Sequence, residues 1–391
     1  MHTGCVARTS RRLVFVGRYL LFQPHTWPEV RLRVGRDPGL DSAPPGRPQA
    51  GPPWPTPQQG DLMPASRPTR LFPVGEVSRT GITPSSPSVY RSSTPSYSVN
   101  SSSSPTLIDV SHRLRPRDYA LASLLDDHTT LTTGQLTDVL FTSAITCRHR
   151  LTVLRSFGFV DRFIRRSEPG TANIVCWVPG PLSARLTALA AEQAPPTARA
   201  LRERQDRIYA NPALDHLLEA NDFFVRLLVH SRTSQDTALS RWWSERATAG
   251  AFGRRIHPDG HGVWADGHHE TGFFLELDRG TEPLGRLADK LNSYRRLRAE
   301  GGPPYAVLFV LPNRAREQNL HRRLADRPEP NLVIATTSPE AGDDPAELVW
   351  RLVGNGRHRI RLIDLPRGHG QPGPLNPGAP RPDDHPLRHL R

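Results

Sequence analysis

Lysine is almost missing from this 391-residue chain, because Lys290 is the only lysine among the 51 Lys and Arg residues. A P-loop needs glycine before its lysine, and Lys290 follows Asp289, so Walker-type nucleotide hydrolysis is excluded. The other basic residues are arginines, a usage typical of a GC-rich genome. The formal charge of +13 predicts a polyanionic partner, most often nucleic acid, and coding bias is the alternative source of part of this basicity.

Cysteine is scarce as well. Cys5, Cys147 and Cys176 follow no motif spacing, which argues against a disulfide framework or a Cys-rich zinc site and favours a cytoplasmic location. No apolar run is long enough to cross a membrane. The apolar run at 13–16 is interrupted by glycine and arginine, so export is not expected. No His-x-His pair occurs, which excludes the usual metal site of two-histidine nicking relaxases.

Both ends of the chain are rich in residues that build no core. Residues 1–110 are dense in Pro, Gly and Ser, and such a composition cannot bury enough apolar surface to offset chain entropy. We expect this segment to be disordered, although a start codon assigned too early would explain the same composition. The Pro/Gly/Arg-rich stretch 366–391 is expected to be a disordered tail.

Residues 115–180 change abruptly to a compact pattern. Apolar residues at near-helical spacing over 116–127, opening with proline, predict a first helix. Capping residue types then predict two further helices, over 133–140 and 143–157. On the third helix one face is apolar and packs, whereas another carries arginine and threonine at helical spacing.

A β-ribbon follows the three helices. Residues 159–164 and 173–178 are rich in aromatic and β-branched side chains and flank a Ser-Glu-Pro-Gly turn, which predicts a hairpin. Three helices followed by a ribbon predict a winged-helix DNA-binding domain over 115–180. The alternative is that this unit packs against neighbours or dimerises.

If the unit binds double-stranded DNA, helix three lies in the major groove and the hairpin contacts phosphate or the minor groove. The candidate DNA-binding residues are Arg148, His149, Thr152 and Arg155 on the helix and Arg162, Arg165 and Arg166 on the hairpin.

Residues 181–210 form a predicted helical connector, broken by two prolines, and 211–365 form the predicted second domain. Helices are expected over 211–230, 239–246, 284–297 and 345–352, and strands over 252–257, 262–265, 271–278, 305–311, 331–336 and 359–364. The short apolar run at 305–311 is typical of a central parallel strand, reached from the preceding strand by a crossover helix.

The strongest chemical signal is a pair of carboxylates in a buried strand. Glu276 and Asp278 alternate with wholly apolar neighbours, so they share one face. Uncompensated charge there is costly, and the pair therefore needs a metal ion, a cationic side chain or a bound proton. Asp259 lies in a Pro-Asp-Gly sequence upstream, which is also an ordinary turn.

Lys290 is predicted to return to these carboxylates. The strand from Glu276 to Gly280 and the helix from Thr281 to Lys290 each span roughly 13 Å, so an antiparallel helix brings Lys290 beside Glu276. Two interpretations stay open. In one, Lys290 serves catalysis; in the other, it only neutralises a carboxylate and no metal is bound.

The segment from Pro258 onward resembles the PD-(D/E)xK nuclease superfamily at Pro258-Asp259 and Glu276-Leu277-Asp278. The resemblance implies an α/β fold (α+β overall), with the winged helix followed by a mixed sheet and flanking helices. It also implies Mg²⁺ or Mn²⁺ between Asp259 and Glu276, activating water to attack a phosphodiester. The motif departs at Asp278, where lysine belongs; Asp278 is then a second-metal or orienting carboxylate and Lys290 the basic residue.

The block Phe274-Leu-Glu-Leu-Asp-Arg-Gly-Thr-Glu282, with Lys290, Tyr294 and the upstream His216 and Asn221-Asp222, resembles the actinobacterial replication-relaxation family over about 115–364. The resemblance implies a role in replication, relaxation or mobilisation of plasmids and other mobile elements. It implies double-stranded DNA and plasmid transfer or replication proteins as partners, and leaves a homodimer open. The alternatives are an active endonuclease using Asp259, Glu276 and Lys290, and a transcription regulator whose second domain is structural.

Overall fold

The protein is described by a computed structural model over residues 105–166, 172–325, 331–354 and 358–390. Most of the predicted disordered segment at 1–110 and the predicted hairpin turn therefore lie outside the described residues.

The described chain begins with four helices. They are α1 (Leu107–Ser111), α2 (Pro116–His128), α3 (Thr133–Leu140) and α4 (Ala144–Ser156). Proline occupies the first turn of α2, and a capping box between Thr132 and Gln135 starts α3. On α4, three side chains at i, i+4 and i+7 spacing are completely buried: Cys147, Leu151 and Leu154. The opposite face of α4 is thereby left to solvent.

A small antiparallel sheet completes this region, with β1 (Leu131–Thr132), β2 (Val160–Arg165) and β3 (Ile174–Pro179) in the order β1-β3-β2. Trp177 pairs with Leu131 on one side and with Arg162 on the other. The predicted order of three helices and a ribbon is thus the order observed over residues 116–179.

Helices α5 (Pro181–Ala190) and α6 (Ala198–Tyr209) form the predicted interrupted connector. The long helix α7 (Leu214–Thr233) then packs against both the first helices and the large sheet. Gln135 donates a side-chain hydrogen bond to the Leu218 carbonyl (2.8 Å), and Asn221 donates to the Thr130 carbonyl (3.0 Å).

A six-stranded mixed sheet dominates the rest of the molecule and bears out the predicted α/β class. Its strands lie in sequence order: β4 (Thr237–Ser244), β5 (Gly260–Asp266), β6 (His269–Leu277), β7 (Ala306–Val310), β8 (Ile334–Thr337) and β9 (Arg351–Leu352). Strands β6, β7 and β8 are parallel, and the other pairs are antiparallel. The parallel strands are joined by α9 (Leu284–Ala299) and α10 (Arg314–Ala325), and α8 (Glu245–Ala251) links β4 to β5.

The two faces of the large sheet pack against different helices. Phe273 of β6 contacts Phe223 and Phe224 of α7 (ring centroids 5.9 and 6.0 Å apart), whereas Phe274 contacts Tyr294 of α9 (5.4 Å). Since side chains alternate along a strand, Glu276 falls on the same face as Phe274, toward α9.

The predicted helix at 239–246 is wrong, because these residues belong mainly to β4. The large aromatic side chains favour a strand there. Trp242 stacks between His128 (3.6 Å) and Phe224 (5.3 Å), so tertiary packing fixes the extended backbone.

Three further predictions in this region are wrong. Residues 252–255 form a turn, residues 256–257 have no regular structure, and the strand begins only at Gly260. Residues 345–352 form turns and β9 rather than a helix, in part because the Trp350 indole donates a hydrogen bond to the Pro345 carbonyl (2.7 Å). At 359–364 the structure has an isolated bridge at Ile360 and a short 3-10 turn instead of a strand.

The expectation of a disordered tail over 366–391 is also wrong for residues 366–390. Arg241 of β4 is 1% exposed, and its guanidinium donates to the carbonyls of Gly378 and Ala379 (both 3.0 Å) and to the Asp384 carboxylate (2.7 Å). A buried cation needs such partners, and the Pro/Gly-rich segment supplies them. Composition alone could not show this.

Candidate functional site

Glu276, at the end of β6, is the centre of a charged cluster. Its side chain lies on the sheet face covered by α9, and the residue is only 3% exposed. Lys290 Nζ donates to Glu276 Oε2 (2.8 Å), and the Tyr294 hydroxyl donates to Oε1 (2.6 Å). Both oxygens of the buried carboxylate are therefore bound by side chains of α9.

The local structure explains this contact. Helix α9 runs back along the sheet after β6, as the strand and helix lengths predicted, and Lys290 and Tyr294 are four residues apart on one helix face. The long lysine side chain is 42% exposed, so its ammonium keeps contact with solvent while it reaches Glu276.

Burial and charge act together on these groups. Burial raises the pKa of Glu276 above its ordinary value, against the opposing attraction of Lys290. Burial lowers the pKa of Lys290, but the charge of Glu276 and their hydrogen bond outweigh it and leave this pKa raised. Burial also raises the pKa of Tyr294 well above its usual range, so this hydroxyl stays a hydrogen-bond donor.

Asp259 lies just before β5, beside the end of the neighbouring strand β6. Its Oδ2 accepts a hydrogen bond from the Leu277 amide (2.7 Å), and its Oδ1 lies 2.7 Å from Nε2 of His216 on α7. The hydrogen bond to Asp259 raises the pKa of His216 above 6.5 despite partial burial. The charge of Asp259 also contributes to the raised pKa of Glu276, so the two carboxylates sense each other.

Asp278 has a different environment from Glu276. Its carboxylate forms an ion pair with Arg316 of α10 and accepts a hydrogen bond from the Gly280 amide (2.9 Å). The structure therefore uses Asp278 to fix the turn after β6 and to hold α10, and its role as a second-metal or orienting carboxylate stays a prediction.

A cleft of about 300 Å³ opens beside this cluster. Its polar lining residues are His216, Glu276, Asp278, Arg279, Thr281, Glu282 and Lys290. Arg279 is held by Glu219 at 3.3 Å and is partly exposed. The cleft is thus lined by three carboxylates, one imidazole and two cationic side chains.

The donor chemistry of Asp259 and Glu276 fits a hard divalent cation, since Mg²⁺ and Mn²⁺ prefer carboxylate oxygens. All four oxygens accept hydrogen bonds in this structure, but each keeps a second lone pair. Among the described residues, the potential metal ligands that lie in a group of three within 4.8 Å of one another are His230, Asp344 and Glu347. This group does not include Asp259 or Glu276.

The predicted DNA-binding residues of α4 divide into two groups. Arg148, His149 and Thr152 are exposed on the face opposite the buried Cys147. Arg155 is partly buried and lies 3.3 Å from Asp161 at the start of the hairpin. The structure therefore leaves three of the four side chains facing solvent and ties the fourth to β2.

The hairpin arginines are also placed differently from one another. Arg162 is exposed, with its guanidinium 5.7 Å from the Trp177 ring centroid, and Arg166 is exposed directly after β2. Arg165 forms an ion pair with Asp215 of α7. Arg165 thus joins the ribbon to the helix that carries His216.

Three residues of the cluster were not predicted as site residues. His216 and Tyr294 appeared only within the family resemblance, and their contacts with Asp259 and Glu276 depend on how α7 and α9 pack. Arg316 carried no signal, because the polar helix α10 was not predicted. Its position 38 residues after Asp278 gave no indication of contact.

No helix in the described part of the chain is both long enough and apolar enough to cross a membrane. The family model described as replication-relaxation matches residues 123–308. This part of the chain is therefore similar to that family, and it contains α4, the hairpin, α7 and the cluster around Glu276. No curated protein matches the chain.

Proposed function

We propose that this protein binds double-stranded DNA in the replication or relaxation of plasmids or other mobile elements. Similarity to the replication-relaxation family supports the biological setting. The observation that carries DNA binding is the division of α4 into a fully buried apolar face and an exposed face with Arg148, His149 and Thr152.

The arrangement of α4 and the ribbon suits a winged helix on duplex DNA. A helix backed by a rigid core can enter the major groove with its polar face, and a neighbouring ribbon can contact the backbone. Arg162 lies on that ribbon, and Arg166 directly follows its first strand. Positive charge at these positions supplies the phosphate contacts that position a protein without reading sequence.

A gel-shift titration with a random-sequence DNA duplex tests this proposal. We expect Arg148→Ala/Arg162→Ala to weaken binding. The plot of log K against log salt should become shallower by about 2, about one unit of slope for each lost phosphate contact. The matched control is Arg314→Ala/Arg322→Ala, which removes two exposed arginines from α10. The proposal fails if the control loses as much affinity, or if the wild-type chain binds no duplex.

A metal-dependent phosphodiesterase is a second candidate function, favoured by the 2.8 Å contact between the only lysine and the buried Glu276. Asp259 and Glu276 would hold Mg²⁺ or Mn²⁺, which supplies Lewis acidity and a water of lowered pKa. Tyr294 orients Glu276 and His216 orients Asp259. Lys290 offsets the negative charge of the cleft, and its ammonium can donate a hydrogen bond to a phosphate.

Nicking of supercoiled plasmid in Mg²⁺ or Mn²⁺ tests the second candidate. We expect Glu276→Gln and Lys290→Met each to lower the cutting rate at least about a hundredfold, because the first removes a proposed metal ligand and the second a cation that stabilises negative charge. Asp289→Asn, a charge change on the exposed side of α9, is the control. A wild-type chain that binds duplex DNA but never cuts it would instead favour a regulator with a structural second domain.

A further inference from the structure

A second and larger crevice lies at the carboxyl ends of the parallel strands β6, β7 and β8. Its volume is about 420 Å³. The walls are mainly apolar and include Phe223, Leu277, Leu311, Pro312, Pro345 and Val349. A crevice of this size, at the carboxyl edge of parallel strands and with mostly apolar walls, is a common location for small organic ligands.

One polar group in the crevice has no partner in the described structure. Thr337, at the end of β8, lines the crevice and is 7% exposed, and its hydroxyl makes no hydrogen bond. The preceding Thr336 binds Glu317 of α10 (2.7 Å), so alternation turns Thr337 to the opposite face, toward the crevice. A buried hydroxyl without a partner is costly, and a ligand would satisfy it.

The charges at the crevice select against an anionic ligand. Its lining includes the carboxylates of Glu219, Asp222, Asp278 and Asp343 and the guanidiniums of Arg226 and Arg279. Arg226 is bound to Asp222 (2.8 Å), and Arg279 lies 3.3 Å from Glu219. The carboxylates outnumber the cations, so the crevice suits a flat, neutral group that donates N–H bonds at its edge.

The crevice adjoins the cleft beside Glu276, because Leu277, Asp278 and Arg279 line both. Resting on the proposed DNA-binding function, we propose that the crevice binds an unpaired nucleobase of a DNA strand. The base lies between apolar walls with its edge toward Thr337 and Asp222, while its phosphate stays at the cationic side chains of the cleft, Arg279 and Lys290. Single bases are held in this way by apolar contact and edge hydrogen bonds.

Calorimetric titration of the full chain with deoxyadenosine, deoxyguanosine, deoxycytidine and thymidine tests the proposal. We expect at least one nucleoside to bind, and Thr337→Val to weaken it about three- to tenfold, the effect of one hydrogen bond. The unliganded Thr337→Val variant should melt at the same or a higher temperature, because it no longer buries an unpaired hydroxyl. If the Thr337 hydroxyl had only a structural role, its removal would not weaken nucleoside binding.

Two further variants complete the test. Pro339→Trp places a large side chain at the exposed mouth of the crevice and should abolish nucleoside binding, and it serves as the readout if Thr337→Val does not fold. Thr233→Val, at an exposed threonine near the end of α7, should bind as the wild type does. The proposal is overturned if no nucleoside binds, or if Thr337→Val and Pro339→Trp both bind like the control.

The duplex gel shift of the wild-type chain separates this proposal from the previous one. Duplex binding without nucleoside binding removes the base pocket and leaves the winged-helix function intact. Nucleoside binding without duplex binding removes the winged-helix function and leaves the base pocket intact.

Discussion

At the scale of single residues, the contact between His216 and Asp259 is the clearest source of pH dependence. The imidazole Nε2 and the carboxylate Oδ1 are 2.7 Å apart, and this bond raises the pKa of His216 above 6.5. A pKa raised by folding means that protonation stabilises the native state. The stabilisation is complete below about pH 6.5 and is lost as the pH rises through the folded-state pKa.

Replacing Asp259 with Asn should therefore lower the pKa of His216. An NMR titration of the His216 ring, assigned with His216→Gln, measures the change directly. The stability difference between the wild type and Asp259→Asn should shrink as the pH rises above the wild-type pKa of His216. Asp289→Asn is the charge-matched control, and an Asp259→Asn protein whose His216 titrates like that of the wild type would contradict the assignment.

Residue spacing indicated much of the cluster around Glu276. The alternation of apolar and acidic side chains placed Glu276 in a buried strand, and the lengths of strand and helix placed Lys290 beside it. The hydrogen bonds from His216 and Tyr294 could not be predicted, because they depend on how α7 and α9 pack. The contact of Arg316 with Asp278 depends on α10, a helix that the sequence pattern did not predict.

At the scale of elements, β4 and the C-terminal segment depend on each other through Arg241. Arg241→Met would remove the guanidinium that donates to the Asp384 carboxylate and to the carbonyls of Gly378 and Ala379. We expect a loss of about 3–5 kcal/mol in the free energy of unfolding, as when one partner of a buried ion pair is removed. Urea denaturation measures it.

Two comparisons sharpen this prediction. Arg255→Met removes an exposed arginine paired with Glu300 (2.7 Å) and should cost about 0–1 kcal/mol. A chain ending at Pro366 should lose stability as Arg241→Met does, because it removes the same acceptors. Equal stability of the full and truncated chains would show that the C-terminal segment does not support β4.

Element prediction succeeded where the apolar period was regular and failed where long-range contacts decided the backbone. Helices α2 and α9 and strand β7 follow their periodicity closely. Strand β4 was mistaken for a helix because the stacking of Trp242 on His128 and Phe224 cannot be read from local spacing. Helix α10 was missed because its only large buried apolar residues are Leu320 and Leu324.

At the scale of the whole molecule, α7 joins the helices before the first hairpin to the large sheet. The buried Asn221 donates hydrogen bonds to the carbonyls of Thr130 (3.0 Å) and His128 (3.3 Å). Asn221→Ala would leave both carbonyls without this donor, at a cost of about 1–3 kcal/mol. Thermal unfolding should show a lower melting temperature, whereas Asp222→Ala, at the next and more exposed position, should change it little.

The first turn of α7 has a consequence for how DNA would meet the cleft. Asp215 holds Arg165 of the hairpin, and the next residue, His216, holds Asp259. Two adjacent residues of α7 thus fix the position of the ribbon relative to the carboxylates. A duplex seated on the ribbon would therefore present the same stretch of its backbone to Glu276 each time it binds, whatever its sequence.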